Sequence, residues 1–247
     1  MWNSLRALAG YFAFAVLTLA WLPCMALLLL VTLPFDRHRT LAGRGLRVVA
    51  TLVGRSYPRW QMSVEGAHHR PAGPFVAIAN HESILDVLLL PRLPWEMKWV
   101  AKASLFKLPV IGWMLRMAGD MPLVRGDAES GAEVMERARQ YLAGGMPVMF
   151  FPEGTRSRTD ELRPFKLGAF KLAIEFGCPI LPIAVFGTRG GMPVGSPWVR
   201  PTRAVARVLA PEATHGLSLP DAPALADQLR ERITQARAAL AIELATP

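Results

Sequence analysis

The sequence is poor in cysteine and lacks the common metal-binding patterns. Only two cysteines occur, Cys24 in an apolar run and Cys178 in FGCPILPIAV, so we expect no disulfide framework and a reducing compartment. No C-x-x-C occurs, and His81-Glu82 is not followed by the second histidine of H-E-x-x-H, so we predict no metal. A G-x-S-x-G nucleophile elbow is also missing, which argues against a thioesterase or lipid hydrolase.

Lysine is scarce, although the chain is basic. There are 28 lysine and arginine residues against 19 aspartate and glutamate residues, a formal net charge of +9. This charge favours an anionic partner: nucleic acid, an anionic lipid surface or a phosphorylated substrate. Because base-stacking aromatic residues are not interleaved with the basic ones, we expect no nucleic acid. All the lysines fall between Lys98 and Lys171, either by chance or because compact ammonium groups are needed there.

The amino-terminal part lacks charge. No charged side chain occurs in residues 7–35. That mostly apolar stretch exceeds the roughly 20 residues needed to cross a bilayer as a helix. We interpret residues 1–40 as a membrane anchor rather than a cleaved signal peptide, since no small-residue cleavage pattern ends the apolar region. Pro23 in its middle leaves two geometries open, one kinked helix or a helical hairpin in one leaflet.

Positive charge is concentrated after this segment. Arg6 precedes it, whereas a group of arginines follows it: Arg37, Arg39, Arg44, Arg47, Arg55 and Arg59. By the positive-inside rule we expect residues 41–247 to face the cytoplasm, at the inner membrane if the protein is bacterial.

Residues 41–247 are expected to form one domain. From Ser63 onward, short apolar runs alternate with helical stretches, which is typical of a layered α/β domain; we predict a mixed sheet flanked by helices, with the site where strands run into loops. Strands are predicted at 75–79, 97–101, 121–124, 147–151, 180–186 and 204–210, and helices at about 82–90, 128–142, 168–176 and 222–244. The apolar stretch 105–118 is too short to span a membrane and suits an acyl-chain pocket or a surface resting on lipid.

A polar cluster, NHESILD, lies between two apolar runs. On a continuous helix His81 and Asp86 could not touch, because five positions place them on different faces. If His81 instead lies just outside the first turn, its ring can fold back and donate one N–H to the Asp86 carboxylate, leaving the other nitrogen free for general-base catalysis. The alternative is a histidine that merely caps a helix beside an aspartate.

A second polar cluster follows the predicted strand at 147–151. In FPEGTRS, Gly154 lets the backbone approach a ligand closely, and Arg156 can grip a phosphate or carboxylate through two hydrogen bonds. The alternative is an ordinary turn with an ion pair between Glu153 and Arg156. Lys166 and Lys171 flank a small-residue helix start, and Arg125 occupies another strand exit. Together these cations predict a site for a phosphorylated molecule.

These residues resemble the glycerolipid acyltransferase family, particularly the 1-acylglycerol-3-phosphate (lysophosphatidate) acyltransferases. NHESILD matches the family's N-H-x4-D block, and FPEGTRS matches its third block. GDMPLVRG resembles the second block, although Pro122 and Leu123 stand where aromatic or β-branched residues are usual. CPILPIAV resembles the hydrophobic fourth block. The four blocks lie in the family's order across residues 80–184, behind an apolar segment.

The resemblance implies acyl transfer from a thioester to the free sn-2 hydroxyl of lysophosphatidate, giving phosphatidate without an acyl-enzyme. His81 would then be the general base, and Asp86 would orient it. Arg125 and Arg156 would bind the acceptor phosphate, helped by Lys102 or Lys166. Glu153 would bind the glycerol moiety or hold Arg156, and Gly154 and Thr155 would complete the substrate-binding turn.

The donor would be acyl-CoA or acyl-carrier protein, with no cofactor beyond it, and the expected partners are the lysophospholipid, the donor and the lipid bilayer. Three other functions stay open. The same chemistry could serve glycerol 3-phosphate or a lyso-aminolipid, and a thioesterase or lipid hydrolase would release free acid instead. A non-enzymatic, membrane-tethered protein could bind anionic lipid through its arginines.

Overall fold

The computed structural model describes residues 2–157 and 159–245. Seven strands form one mixed sheet in the order β1-β7-β6-β2-β5-β3-β4. The strands are β1 (Trp60–Glu65), β2 (Val76–Ala79), β3 (Lys98–Lys102), β4 (Met121–Leu123), β5 (Val148–Phe150), β6 (Ile180–Phe186) and β7 (Thr202–Val208). Neighbours among β2 to β6 are parallel, whereas β7 is antiparallel to β6 and parallel to β1. The carboxyl ends of five strands therefore meet at one edge, on both sides of the central strand β2.

The described helices cover both faces of the sheet and form an amino-terminal layer. They are α1 (Trp2–Thr32), α2 (Thr40–Arg55), α3 (Asp86–Leu89), α4 (Ile111–Ala118), α5 (Ala128–Ala143), α6 (Gly168–Phe176), α7 (Thr188–Gly191) and α8 (Ala222–Ala245). Short 3-10 turns occur at Ala67–His69, Leu90–Arg92, Ala103–Lys107 and Leu219–Asp221. The mixed sheet flanked by helices that the sequence predicts is confirmed.

The central strands are buried on both faces. Successive side chains of β2 point to opposite sides, so Val76 and Ile78 pack with α5, α6 and α8, while Ala77 and Ala79 pack with α3 and the 3-10 turn after it. The last helix contributes Leu225, Leu229, Ile233 and Leu240 to the first of these cores. Such burial on both sides holds the strand ends, and the loops that leave them, in fixed positions.

The amino-terminal helices form a separate apolar cluster. Residues 10–32 of α1 are long and apolar enough to cross a membrane, and α1 continues through Pro23 as one helix. Met25 of α1 is fully buried, packed in a cluster with Val49 and Val53 of α2 and with Met114 of α4. The apolar stretch 105–118 contains the end of a 3-10 turn and the whole of α4, with Met114 buried and Trp113 exposed.

Most predicted elements are present, with shifts of one or two residues at the ends of several. The strand predicted at 97–101 forms at Lys98–Lys102, and that predicted at 204–210 forms at Thr202–Val208. The helix predicted at about 82–90 is wrong, because only Asp86–Leu89 is α-helical. The backbone N–H groups of Glu82 and Ser83 donate to the Asp86 carboxylate, at 2.8 and 3.1 Å. This contact holds the preceding residues in a loop.

Candidate active site

The NHES loop leaves the central strand β2 and is anchored to its neighbour β6. Asn80 is fully buried, and its side-chain amide pairs with Val185 in both directions. It donates to the Val185 carbonyl at 2.9 Å and accepts from the Val185 N–H at 2.7 Å. An amide side chain suits this place because it both donates and accepts. Asn80 therefore fixes where the loop turns away from the sheet, immediately before His81.

The structure brings the side chains of His81 and Asp86 together. His81 lies in the loop before α3, and Asp86 is the first residue of that helix. The imidazole Nδ1 lies 2.6 Å from Asp86 Oδ2. Because a carboxylate only accepts, Nδ1 carries the proton and Nε2 presents its lone pair in the neutral ring. In the described part of the chain, no hydrogen-bond partner is assigned to Nε2.

An aromatic ring also constrains His81. The Phe151 ring stacks on the imidazole, with centroids 4.1 Å apart and planes 22° apart. Phe151 directly follows β5 and is itself met edge-on by Trp99. The imidazole is therefore held by a carboxylate at one nitrogen and by an aromatic face. Its side chain is 12% exposed, so the ring is largely shielded from water.

The Glu153 side chain links its own loop to the backbone of the NHES loop and to the backbone at Arg163. One carboxylate oxygen accepts from the His81 N–H at 2.8 Å, and the other accepts from the Arg163 N–H at 3.1 Å. The residue is 4% exposed, and burial raises the pKa of this carboxyl above its ordinary value, although the two N–H groups oppose the shift. In this geometry Glu153 fixes the backbone at His81, and its oxygens bind N–H groups rather than Arg156.

Gly154 and Lys166 lie against each other. Gly154 has a φ of 70°, which favours glycine, and a Cβ built there would lie 3.1 Å from the Lys166 ammonium nitrogen. The Lys166 backbone N–H donates to Pro152 at 2.8 Å. The FPEGTRS turn therefore carries a lysine ammonium group on its surface, next to a glycine that leaves room for it.

Two arginines and a threonine form the cationic side of the site. The Arg125 guanidinium lies 3.4 Å from Thr155 Oγ1, which joins the exit of β4 to the turn after β5. Partial burial and the nearby positive charge of Arg156 lower the pKa of Arg125. No carboxylate partner is assigned to Arg125 or Arg156 within residues 2–157 and 159–245. Lys102 is exposed at the end of β3, without an assigned contact to these groups.

The sequence analysis missed the residues that surround Asp86 from the carboxyl-terminal part of the chain. Thr188 begins α7 and contacts the Asp86 carboxylate, and Arg237 of α8 forms a buried ion pair with Glu82 at 2.7 Å. Burial and the nearby Asp86 charge raise the pKa of Glu82, and Arg237 opposes the shift. A threonine two residues beyond β6, at the edge where the other motifs lie, was a usable signal for Thr188. Arg237 could not be assigned, because no local pattern links it to residue 82.

Comparisons with known proteins agree with this architecture. The acyltransferase family model matches residues 61–186. The chain is 36% identical over 181 residues to the chloroplastic 1-acyl-sn-glycerol-3-phosphate acyltransferase BAT2 of Brassica napus, covering 72% of this chain and 52% of that one. It is 36% identical over 174 residues to 1-acyl-sn-glycerol-3-phosphate acyltransferase alpha of Mus musculus, covering 69% of this chain and 61% of that one. The chain thus spans about half the length of the Brassica relative.

A solved structure supports the same fold. The crystal structure of the 1-acyl-sn-glycerophosphate (LPA) acyltransferase PlsC from Thermotoga maritima superposes with a TM-score of 0.81 at 23% identity, covering 96% of this chain and 95% of that one. The family match includes the loops that carry His81, Asp86, Arg125 and Arg156. The chain belongs to the acyltransferase family, as the resemblance of its four sequence blocks predicts.

Proposed function

We propose that this protein transfers a fatty acyl group from a thioester donor to the free sn-2 hydroxyl of lysophosphatidate, which gives phosphatidate. The observation that carries the proposal is the 2.6 Å contact between His81 Nδ1 and Asp86 Oδ2, at the strand edge that also carries Arg125 and Arg156. The names of the curated relatives support the choice of acceptor.

The proposed reaction is a direct attack with one proton relay. His81 Nε2 accepts the proton of the acceptor hydroxyl while its oxygen attacks the thioester carbonyl carbon, and the imidazolium that forms is stabilised by Asp86. When the tetrahedral intermediate collapses, the C–S bond breaks and His81 returns the proton to the thiolate. The products are the new ester and a free thiol, so no acyl-enzyme is needed.

The cationic side of the site suits the acceptor's phosphate. Arg125 and Arg156 lie close enough for their charges to interact, and Lys166 lies against the same turn. Two guanidinium groups without a carboxylate between them favour an anion, because a phosphate accepts hydrogen bonds from both and removes their repulsion. In this proposal Thr155 holds Arg125, and Gly154 keeps the turn open beside Lys166. Lys102, at the end of β3, is the alternative to Lys166 as a helper.

The donor is proposed to be acyl-CoA or acyl-carrier protein, and the chemistry assigned to His81 and Asp86 requires no cofactor beyond it. Both donors are anionic and carry the acyl group as a thioester. A basic surface with a net charge of +9 suits either of them.

Membrane association is part of the proposal. Large apolar side chains of α1 are exposed, among them Phe12 at 70%, Leu27 at 62% and Leu30 at 72%. Trp113 of α4, next to the same helix cluster, is 53% exposed. An apolar surface of this kind marks a lipid or protein contact, and the lysolipid substrate resides in a bilayer. We place residues 41–247 on the cytoplasmic side, because arginines follow the apolar segment.

An acyl-transfer assay on purified protein tests the proposal. Labelled acyl-CoA and acyl-carrier protein are each offered with lysophosphatidate, glycerol 3-phosphate and a lyso-aminolipid. We expect labelled phosphatidate from lysophosphatidate with at least one donor, and much slower transfer to the other acceptors. Faster transfer to another acceptor would show that lysophosphatidate is not the preferred substrate. Release of free fatty acid without any acceptor would instead identify a hydrolase.

A further inference from the structure

A buried threonine hydroxyl completes the surroundings of Asp86. Thr188 and Asp86 are both fully buried, and the Thr188 hydroxyl donates to Asp86 Oδ1 at 2.5 Å. Thr188 lies 102 positions away in sequence, at the start of α7. The contact therefore depends on the tertiary fold and joins the fourth sequence block's strand, β6, to the first block's helix.

The two oxygens of Asp86 are held by different groups. Oδ2 accepts from His81 Nδ1 at 2.6 Å and from the backbone N–H groups of Glu82 and Ser83. For Oδ1, Thr188 is the donor that the described residues supply. The terminal torsion of an aspartate is soft, so a donor on the second oxygen adds a constraint on the plane of the carboxylate. Thr188 is thus placed to set the direction in which Oδ2 meets the imidazole.

Thr188 is itself held in place by its neighbours. Gly187 precedes it with a φ of 91°, and a Cβ at Gly187 would overlap the Arg203 carbonyl, so only glycine fits that turn. The Gly187 carbonyl accepts from the Thr202 hydroxyl at 2.6 Å. The contacts of β7 with Gly187 therefore fix the backbone position of Thr188.

The Glu82 carboxylate is a second possible acceptor for the Thr188 hydroxyl, but the distances favour Asp86. Glu82 Oε2 lies 3.4 Å from Thr188 Oγ1, against 2.5 Å for Asp86, and one hydroxyl proton serves one acceptor at a time. Arg237 donates to Glu82 at 2.7 Å and neutralises it inside the core. With Glu82 paired in this way, the hydroxyl of Thr188 is left to Asp86.

We propose that Thr188 is a positioning residue, which orients Asp86 and through it holds His81 in the tautomer that accepts a proton at Nε2. The inference rests on the proposed function, because it assigns Thr188 a part in the same proton transfer. Thr188 does not reach the substrate in this account; its hydroxyl acts through the Asp86 carboxylate.

Three substitutions at this position separate hydroxyl chemistry from packing. Thr188→Val keeps the shape and removes the hydroxyl, Thr188→Ser keeps the hydroxyl, and Thr188→Ala removes both hydroxyl and methyl. The matched control is Thr214→Val, since Thr214 is 2% exposed and donates to Ala173 and Cys178 carbonyls instead. For each variant we would measure kcat, the KM for lysophosphatidate and the melting temperature.

The expected result is a loss of turnover that only the hydroxyl restores. Thr188→Val and Thr188→Ala should lower kcat by about 10- to 100-fold with KM changed by less than about threefold, the scale of a lost hydrogen bond to a charged group. Thr188→Ser should keep most of the wild-type kcat, and Thr214→Val should lower only the melting temperature. If Val does not fold, the comparison of Ser with Ala carries the test.

Equal kcat values for the hydroxyl-bearing and hydroxyl-lacking variants would overturn the inference, as would a rise in KM alone. These outcomes are distinct from failure of the proposed function. If the wild type transfers no acyl group to lysophosphatidate, the function itself is wrong; if the wild type is active and the Val variant matches it, only the role of Thr188 is wrong.

Discussion

At the scale of single residues, the arginines separate into two kinds. Arg237 is buried in an ion pair with Glu82, and Arg139 pairs with Glu175 on the surface. Arg125 and Arg156 instead influence each other without an assigned carboxylate among the described side chains. The first kind is already paired with a carboxylate, and the second kind suits the anionic acceptor proposed above.

We predict that Arg156→Ala weakens binding of the phosphorylated acceptor. The KM for lysophosphatidate should rise by about 10- to 100-fold, because a hydrogen bond to a charged group contributes about 1.5–3 kcal/mol. A monoacylglycerol acceptor, which lacks the phosphate, should be used as poorly as before. Steady-state kinetics with both acceptors would measure this, with Arg230→Ala on the exposed side of α8 as the control. An equal loss with both acceptors would show that Arg156 does not recognise phosphate.

Glu153 gives a pH-dependent prediction. Because burial raises its pKa above the ordinary 4.5, the folded protein binds more protons than the unfolded chain between pH 4.5 and the folded pKa. The stability that this group contributes is fully present below pH 4.5 and is lost as the pH rises through the folded pKa.

Glu153→Gln does not titrate, so it lacks this pH-dependent stability. In addition, one of the two backbone N–H groups then faces an amide NH2 group, which cannot accept its hydrogen bond. We expect the unfolding free energy to fall by about 1–3 kcal/mol. The difference between wild type and variant should shrink as the pH rises through the window. Denaturation curves at several pH values would measure it, and a difference that widened with pH would contradict the assigned direction of the pKa shift.

The sequence predicted only part of the site at this scale. His81, Asp86, Arg125 and Arg156 follow strand ends within recognisable blocks, so local reasoning and family resemblance both find them. The contact of Glu153 with the His81 backbone was not predicted, because a side-chain carboxylate leaves no sequence trace of which N–H it accepts. For Thr188 the position after the predicted strand was a local signal, but its contact with Asp86 was not predictable, because the partner is 102 positions away.

At the scale of elements, the apolar amino-terminal helix and the central strands were predicted, whereas β1, α2 and α4 were not. The central strands are continuous apolar runs bounded by turns, a pattern typical of parallel sheets. By contrast, β1 is an edge strand with alternating exposure, and α2 contains Gly43, Gly45 and Gly54, which disfavour a helix in isolation. Gly43 is required where it stands, because a Cβ there would overlap the side chains of Glu96 and Lys98. Tertiary packing overrides local propensity in α2.

A buried charge cluster docks α2 on the sheet. Arg47 donates to Asp120 at 2.6 Å and lies 3.6 Å from Glu96, and the fully buried Lys98 donates to the Arg39 and Ala118 carbonyls. Arg47 also lies over the Trp99 ring at 4.7 Å. The cluster contains two cations and two carboxylates, so its formal charges balance. Because water is largely excluded, each charge is stabilised mainly by the other members of the cluster.

We predict that Arg47→Met destabilises the fold strongly. Removing one member of a buried ion pair leaves uncompensated carboxylates and costs about 3–5 kcal/mol. For a chain of this size that is a fall in melting temperature of about 10 °C, by the usual scaling of about 2–4 °C per kcal/mol. Arg44→Met, at an exposed position on the same helix, should change the melting temperature little. Equal melting temperatures for the two variants would show that the cluster does not hold α2.

At the scale of the whole molecule, the apolar amino-terminal helix lies against α2 and α4 and still exposes much of its surface. Trp21 of α1 donates to the Gly45 carbonyl at 2.9 Å, and Tyr11 reaches the Pro197 carbonyl at 2.5 Å. Among the α1 side chains whose exposure is described, residues 8 and 10–32, no other apolar one is as buried as Met25. This arrangement places the sheet and the proposed active site close to any bilayer that α1 enters.

We predict that two added charges on α1 reduce membrane binding. The double variant Leu27→Glu and Leu30→Glu places carboxylates on side chains that are 62% and 72% exposed, and each should oppose burial in lipid by a few kcal/mol. Sedimentation with phospholipid vesicles should show a clear loss of bound protein. The control is Ala224→Glu with Ala238→Glu on α8, which adds the same charge to exposed positions. If the α1 variant sediments with vesicles as the wild type does, this surface of α1 does not bind lipid.

The base assignment to His81 is the step on which the catalytic account depends, and turnover of His81→Ala tests it most directly. With the melting temperature confirmed to be near that of the wild type, kcat for acyl transfer to lysophosphatidate should fall by about 10²- to 10⁴-fold, the usual contribution of general-base catalysis, with little change in the acceptor KM. A folded variant that retains kcat within about threefold of the wild type would contradict the account, because the proton would then leave the hydroxyl by another route.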